Sequence, residues 1–123
     1  FKENRVLGTH YDVHDVFAVQ TEGEKIWNFY EGRVSDPLDY PPNLTHADIE
    51  KSRGRLVKTV TMRPGDVLYV PRGVYHDAIA VDAPSLHVSF TVKALTGRAL
   101  LTVIDQMARD HPAFRAWLPS ADR

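Results

Sequence analysis

Two stretches of this 123-residue chain hold side chains that can do chemistry together. The first is Gly8-Thr9-His10-Tyr11-Asp12. In extended backbone, residues i and i+2 point to one face, so His10 and Asp12 can offer an imidazole and a carboxylate to a single metal ion, and His14 would share that face. A pair at this spacing also occurs as plain polarity at a strand end. The second stretch runs from Gly65 through five residues to Pro71-Arg72-Gly73 and, two residues later, to His76. Each part has a mechanical reason: Gly65 turns into a strand, Pro71 ends its ladder, Gly73 permits a sharp bend, and His76 opens the returning strand pointing inward. A hairpin with an incidental buried histidine satisfies the same pattern. The chain has no cysteine, so thiolate metal sites, disulfides and cysteine nucleophiles are excluded, and a metal must be held by nitrogen and oxygen.

The elements that must position these residues read as short strands. Residues 14–20 and 24–30 are rich in β-branched and aromatic types and are broken at Thr21-Glu22-Gly23, which reads as a hairpin with Lys25 opposite Gln20 and Trp27 opposite Ala18. Residues 31–54 collect glycine, proline and polar residues and read as an irregular loop, whose length suits a cover or docking segment. Strands follow at 56–62 and, after the Arg63-Pro64-Gly65-Asp66 turn, at 67–70, expected to be fully buried. Two more are expected near 76–81 and 85–92, joined by Asp82-Ala83-Pro84. After Thr96, a candidate N-cap, Leu100, Val103, Ile104, Met107 and Ala108 fall at helical spacing, and His111-Pro112 ends the helix. The expectation is a mainly β fold, an antiparallel barrel or sandwich over residues 1–95, with a helical extension over 96–123 that either packs on the barrel or pairs with another copy as a homodimer.

Length suits one domain. The net charge of −1 gives no electrostatic case for nucleic acid or an anionic membrane, and no apolar run nears the roughly 18 to 20 residues of a membrane span. A cytoplasmic protein is the default. The first residue is Phe1, which reads as a piece cut from a longer chain with strands upstream.

The segment from Gly65 to His76 matches the second motif of the cupin fold, with Ala80 where that motif often has Asn. The first segment departs from the common cupin His-X-His and resembles the JmjC-type cupins, above all the ribosomal oxygenase group: His10-Tyr11-Asp12, then Asp15-Val16-Phe17-Ala18-Val19-Gln20, then Glu22-Gly23-Glu24-Lys25-Ile26-Trp27. The resemblance continues through Pro64–Gly73, His76 and Ser85–Phe90 to the tail Phe114–Pro119. It implies a double-stranded β-helix (the cupin, jelly-roll barrel), His10, Asp12 and His76 as ligands of Fe(II), and 2-oxoglutarate as co-substrate with Lys25 at its far carboxylate. Two imidazoles and one carboxylate suit ferrous iron, since they leave positions open for a chelating oxoacid and dioxygen. The implied reaction hydroxylates a side chain of a protein or peptide, such as Arg or His of a ribosomal protein, with release of succinate and carbon dioxide.

Alternatives stay open. Lys25 also reads as a solvated strand charge, and Ser85 and His87, on one face of their strand with Ser89, read either as pocket wall or as core. His14 is a candidate alternative ligand; His46, in the long loop, and His111, at a helix end, read as exposed; Phe17, Trp27 and Tyr69 read as core aromatics. A metal-binding cupin enzyme without 2-oxoglutarate and a noncatalytic binding or dimerisation module are the rival functions.

Overall fold

The computed structural model describes residues 8–81 and 84–118. Among the described residues, six strands form two three-stranded antiparallel sheets: β1 (Asp15–Glu22) lies between β4 (Val67–Val70) and β6 (Leu86–Val92), and β2 (Lys25–Arg33) lies between β3 (Leu56–Met62) and β5 (Val74–Ala80). This is the expected antiparallel barrel architecture. The chain divides into two compact units, 1–93 and 94–123; the second holds α2 (Gly97–Asp110) and α3 (Pro112–Arg115). Thr96 stands at the N-cap of α2 in extended conformation, without a side-chain cap bond. Among the described residues no helix is long and apolar enough to cross a membrane.

The expected β1–β2 hairpin does not form. The Gly23-Glu24 connection carries the chain from one sheet to the other, so Lys25 pairs with Met62 and Ala80, and Trp27 with Val60 and Ala78. Gly23 makes the crossing possible: its φ is 63°, and a Cβ there would lie 2.4 Å from the Pro84 carbonyl oxygen. A short glycine-containing loop looks the same in sequence whether it closes a hairpin or crosses between sheets. Asp82 and Ala83, in the expected turn before β6, lie outside the described residues.

Alternation along β1 turns Val16, Ala18 and Gln20 inward, and Val16 and Ala18 meet Trp27, Met62 and Val70 between the sheets. The same alternation sends Phe17 outward, where it pairs with Tyr69 on β4. Neither is core: they are 40% and 50% exposed. For the same reason β4 is half-buried, with Val70 in and Val67 out. Residue type alone could not choose the face.

A second cluster forms around Tyr11, Tyr30 and Tyr75, with Val13, Val34, Leu44 and Ile49 packed against it. Its cover comes from the 31–54 segment, which is not wholly irregular. Its first three residues complete β2, and α1 (His46–Ser52) begins with a capping box between Thr45 and Asp48. His46 therefore sits on a helix, not in a loop. Gly32 lets β2 touch the end of α1, since a Cβ there would lie 2.1 Å from the Ser52 carbonyl oxygen. Seven residues are too few for a readable helical period, which is why composition suggested a loop.

Candidate metal centre

His10 and His76 lie directly opposite each other in an isolated antiparallel bridge. The His10 N–H donates to the His76 carbonyl (3.0 Å) and the His76 N–H to the His10 carbonyl (2.8 Å). The Gly73 N–H donates to the Asp12 carbonyl (2.8 Å), in a turn that only glycine tolerates: φ is 79°, and a Cβ would lie 2.0 Å from the Val34 carbonyl oxygen. These bonds align the 10–12 segment with the start of β5. One ligand atom from each of His10, Asp12 and His76 then falls within 4.8 Å of the others, and Asp12 Oδ2 is 3.5 Å from His76 Nε2.

Both imidazoles are held in the tautomer a metal needs. His10 Nδ1 lies 2.9 Å from the Gly8 carbonyl and His76 Nδ1 2.9 Å from the Val74 carbonyl. A carbonyl only accepts, so Nδ1 donates in each ring and the Nε2 lone pair is left for a ligand. Burial pushes the His76 imidazole below its ordinary value; the Val74 carbonyl and the nearby Asp12 and Asp77 carboxylates oppose that and His10 adds to it. His76 is therefore neutral at neutral pH. Its side chain is 3% exposed against 30% for Asp12, so the centre opens on the Asp12 side. Tyr40 reaches that region, donating to the Tyr11 carbonyl (2.9 Å) with its ring against Tyr11.

Trp27 links the triad to a second polar group. Its ring stacks on His76 (centroids 5.6 Å apart, 26° between planes) and meets His87 edge-on (5.5 Å, 76°). Beside it Lys25, 9% exposed, places Nζ 2.7 Å from His87 Nδ1. Burial lowers the pKa of both groups, and Lys25 lowers that of His87 further, so the ammonium donates to a neutral imidazole. Among the described residues no carboxylate lies within ion-pair distance of Lys25. Ser85 Oγ accepts from Gln20 Nε2 (2.6 Å), and Gln20 also donates to the Glu22 carbonyl (2.7 Å). Among the described residues, two buried side-chain polar atoms have no hydrogen-bond partner: Trp27 Nε1 and Gln20 Oε1.

An ammonium and an indole N–H that are buried without an anionic partner among the described residues fit an anionic ligand, because each carries a desolvation cost that an oxyanion would relieve. Two imidazoles that each turn Nε2 toward an aspartate side chain fit a divalent cation of the nitrogen- and oxygen-loving kind.

A family model described as the JmjC domain matches residues 1–100. The chain belongs to the JmjC family. Among curated JmjC relatives, the bifunctional lysine-specific demethylase and histidyl-hydroxylase NO66 of Dictyostelium discoideum is 35% identical over 120 residues, 89% of this chain and 23% of that protein. Ribosomal oxygenase 2 of Bos taurus is 35% identical over 121 residues, 92% of this chain and 25% of that protein. The ribosomal oxygenase YcfD of Escherichia coli, solved with cobalt and 2-oxoglutarate, superposes with a TM-score of 0.62 at 22% identity, covering 95% of this chain and 28% of that one. The shared fold is the JmjC cupin barrel. The chain spans about a quarter of the length of these relatives.

The structure brings His10, Asp12 and His76 together, with Lys25, His87 and Ser85 facing the same interior. His14, His46 and His111 do not join the ligand group, and Ser89 is exposed. Trp27 is buried as expected, yet its position between two histidines makes it part of the site. Gln20 escaped sequence reading, although a polar residue at an inward-facing position of an alternating strand was the available signal.

Proposed function

We propose that this chain forms the catalytic core of an Fe(II)- and 2-oxoglutarate-dependent oxygenase that hydroxylates a protein side chain. The single observation that carries the reading is the buried Lys25 ammonium, held by His87 with no carboxylate at ion-pair distance among the described residues, sharing Trp27 with a His-Asp-His triad whose His76 is buried. His10, Asp12 and His76 would hold ferrous iron through two Nε2 atoms and a carboxylate oxygen. Lys25 would receive the far carboxylate of 2-oxoglutarate, with the Trp27 N–H as an additional donor and His87 holding the ammonium in place. Ser85 would act through Gln20, fixing the amide at the wall of the same interior. Iron and 2-oxoglutarate together supply the oxidising power for inserting oxygen into a C–H bond, with succinate and carbon dioxide as co-products.

The protein's part is binding, orientation and exclusion of water. Burial of His76 and Lys25 keeps the oxoacid end dry, and the open side at Asp12, bordered by the Tyr40-bearing segment, is where a protein side chain would enter. The curated relatives named as a ribosomal oxygenase and a histidyl-hydroxylase support a ribosomal-protein Arg or His as substrate. The test is anaerobic titration of iron(II) and 2-oxoglutarate, watching for the visible charge-transfer band of a chelated oxoacid on ferrous iron, with His76→Ala as control. Appearance of the band, and its loss in the control, supports the reading. Iron binding without the band would leave a metal cupin that does not use 2-oxoglutarate, and no iron binding would leave a noncatalytic module.

A further inference from the structure

The segment carrying His10 and Asp12 belongs to no named strand. It is joined to β5 by one bridge and the Gly73 bond. Because His10 faces His76 in antiparallel register, residue 9 faces 77 and residue 11 faces 75 on the reverse side. That reverse side is fully built. Asp77 is 0% exposed and Thr9 5%. Thr9 Oγ1 donates to Asp77 Oδ2 (3.1 Å), Tyr30 OH donates to the same oxygen (2.5 Å), and Asn28 Nδ2 donates to Oδ1 (2.9 Å). Thr59 in turn donates to Asn28 Oδ1 (3.0 Å), so one carboxylate connects the ligand segment to β5, β2 and β3. Next to it, the rings of Tyr11 and Tyr75 meet edge to face at 5.3 Å.

We propose that Asp77 is a positioning residue for the metal centre: through Thr9 its carboxylate locks the His10-Asp12 segment onto the strand that carries His76. The inference rests on the reading of the triad as a metal site. A two-residue bridge by itself leaves the segment free to swing about its few backbone bonds. The Thr9–Asp77 bond fixes it from behind, one residue from a ligand on each side. A buried carboxylate is costly to keep unless several donors converge on it, and here they come from the elements whose relative placement sets the ligand distances.

The test is a titration of the full chain with cobalt(II) alone, read by its d–d absorption, together with the melting temperature of the metal-free protein. Thr9→Val is expected to weaken cobalt binding about tenfold, the low end for residues that orient metal ligands, and to shift the d–d bands. Thr9→Ser, which keeps the hydroxyl, is expected to restore both. Ile49→Ala loosens the same tyrosine cluster without touching the carboxylate, and is expected to lower the melting temperature while leaving cobalt affinity within about twofold. Unchanged affinity in Thr9→Val, equal weakening in Ile49→Ala, or failure of Thr9→Ser to restore binding overturns the proposal while the metal reading stands. A wild-type protein that binds no cobalt overturns both.

Discussion

Replacing Lys25 by Met keeps most of the stem's volume and removes the charge, and the structure gives opposite expectations for the two states of the protein. In the ligand-free fold the ammonium is 9% exposed, donates to neutral His87, and has no carboxylate at hand among the described residues. Its burial is therefore a net cost, and Lys25→Met is expected to leave the metal-free protein as stable as wild type or more stable, by about 1–4 kcal/mol. With 2-oxoglutarate bound, the same substitution strands a buried carboxylate. Loss of one partner of a buried, hydrogen-bonded charge pair costs about 2–5 kcal/mol, or roughly thirty- to several-thousand-fold in affinity. Stability also acquires a sign in pH. Burial lowers the folded pKa of Lys25 below its ordinary 10.5, so the unfolded chain holds the proton over the interval between the two. Stability from this group therefore rises with pH across that interval, and the slope disappears in Lys25→Met. Urea denaturation of the metal-free protein at several pH values reads the first effect, and anaerobic 2-oxoglutarate titration of the iron-loaded protein reads the second. A variant that binds 2-oxoglutarate within threefold of wild type refutes the assignment of Lys25 to the co-substrate, and one that loses stability refutes the claim that its burial is uncompensated.

Divalent metal at about a hundred times its Kd is expected to stabilise the fold by about 2.7 kcal/mol, a rise of several degrees in melting temperature that a chelator reverses and that His76→Ala abolishes. In metal-free protein, burial keeps His76 neutral below the ordinary value of 6.5 while an unfolded histidine takes up a proton there, so stability falls as pH drops through 6.5 toward the lowered value. His76→Asn is expected to flatten that part of the pH profile in urea titrations. Gly73→Ala would put a Cβ 2.0 Å from the Val34 carbonyl oxygen at a φ of 79°, and a loss of at least about 1–3 kcal/mol is expected from denaturant midpoints.

Each half of the candidate triad was legible by its own short-range rule, while the choice of His76 over His14 as third member came from the family resemblance. His10 and Asp12 sit two apart on an extended segment, and His76 follows a turn whose Gly73 and Pro71 have mechanical reasons to be there. What joins the halves was not legible: no local pattern says that residue 10 will face residue 76. Lys25 and Trp27 were read correctly as sharing a face, since period two survives any choice of partner, while their partners were read wrongly, since pairing depends on where the chain crosses between sheets. Phe17 and Tyr69 show the same limit from the other side. Their types suit a core, and only the inward claim of Val16, Ala18 and Gln20 sends Phe17 out. The helix α1 was lost to length, although Thr45 and Asp48 spell a capping box with Asp in place of the commoner Glu.

Alternation also explains how so short a chain builds both halves of the candidate site. Each strand near the centre spends one face on the site and the other on holding the site still. On β2, Lys25 and Trp27 face the interior while Asn28 and Tyr30 tie to Asp77. On β5, His76 faces the site and Asp77 the buried reverse side. On the 9–12 segment, His10 and Asp12 face in while Thr9 and Tyr11 lock behind. A candidate ligand and its anchor are thus chain neighbours, so a change on the reverse face is expected to reach the ligand through a single residue of backbone. The ligand set alone therefore does not define the site. A chain with the same three residues but an apolar residue at position 77 would keep the motif and lose the carboxylate that joins their segment to β5, β2 and, through Asn28, β3.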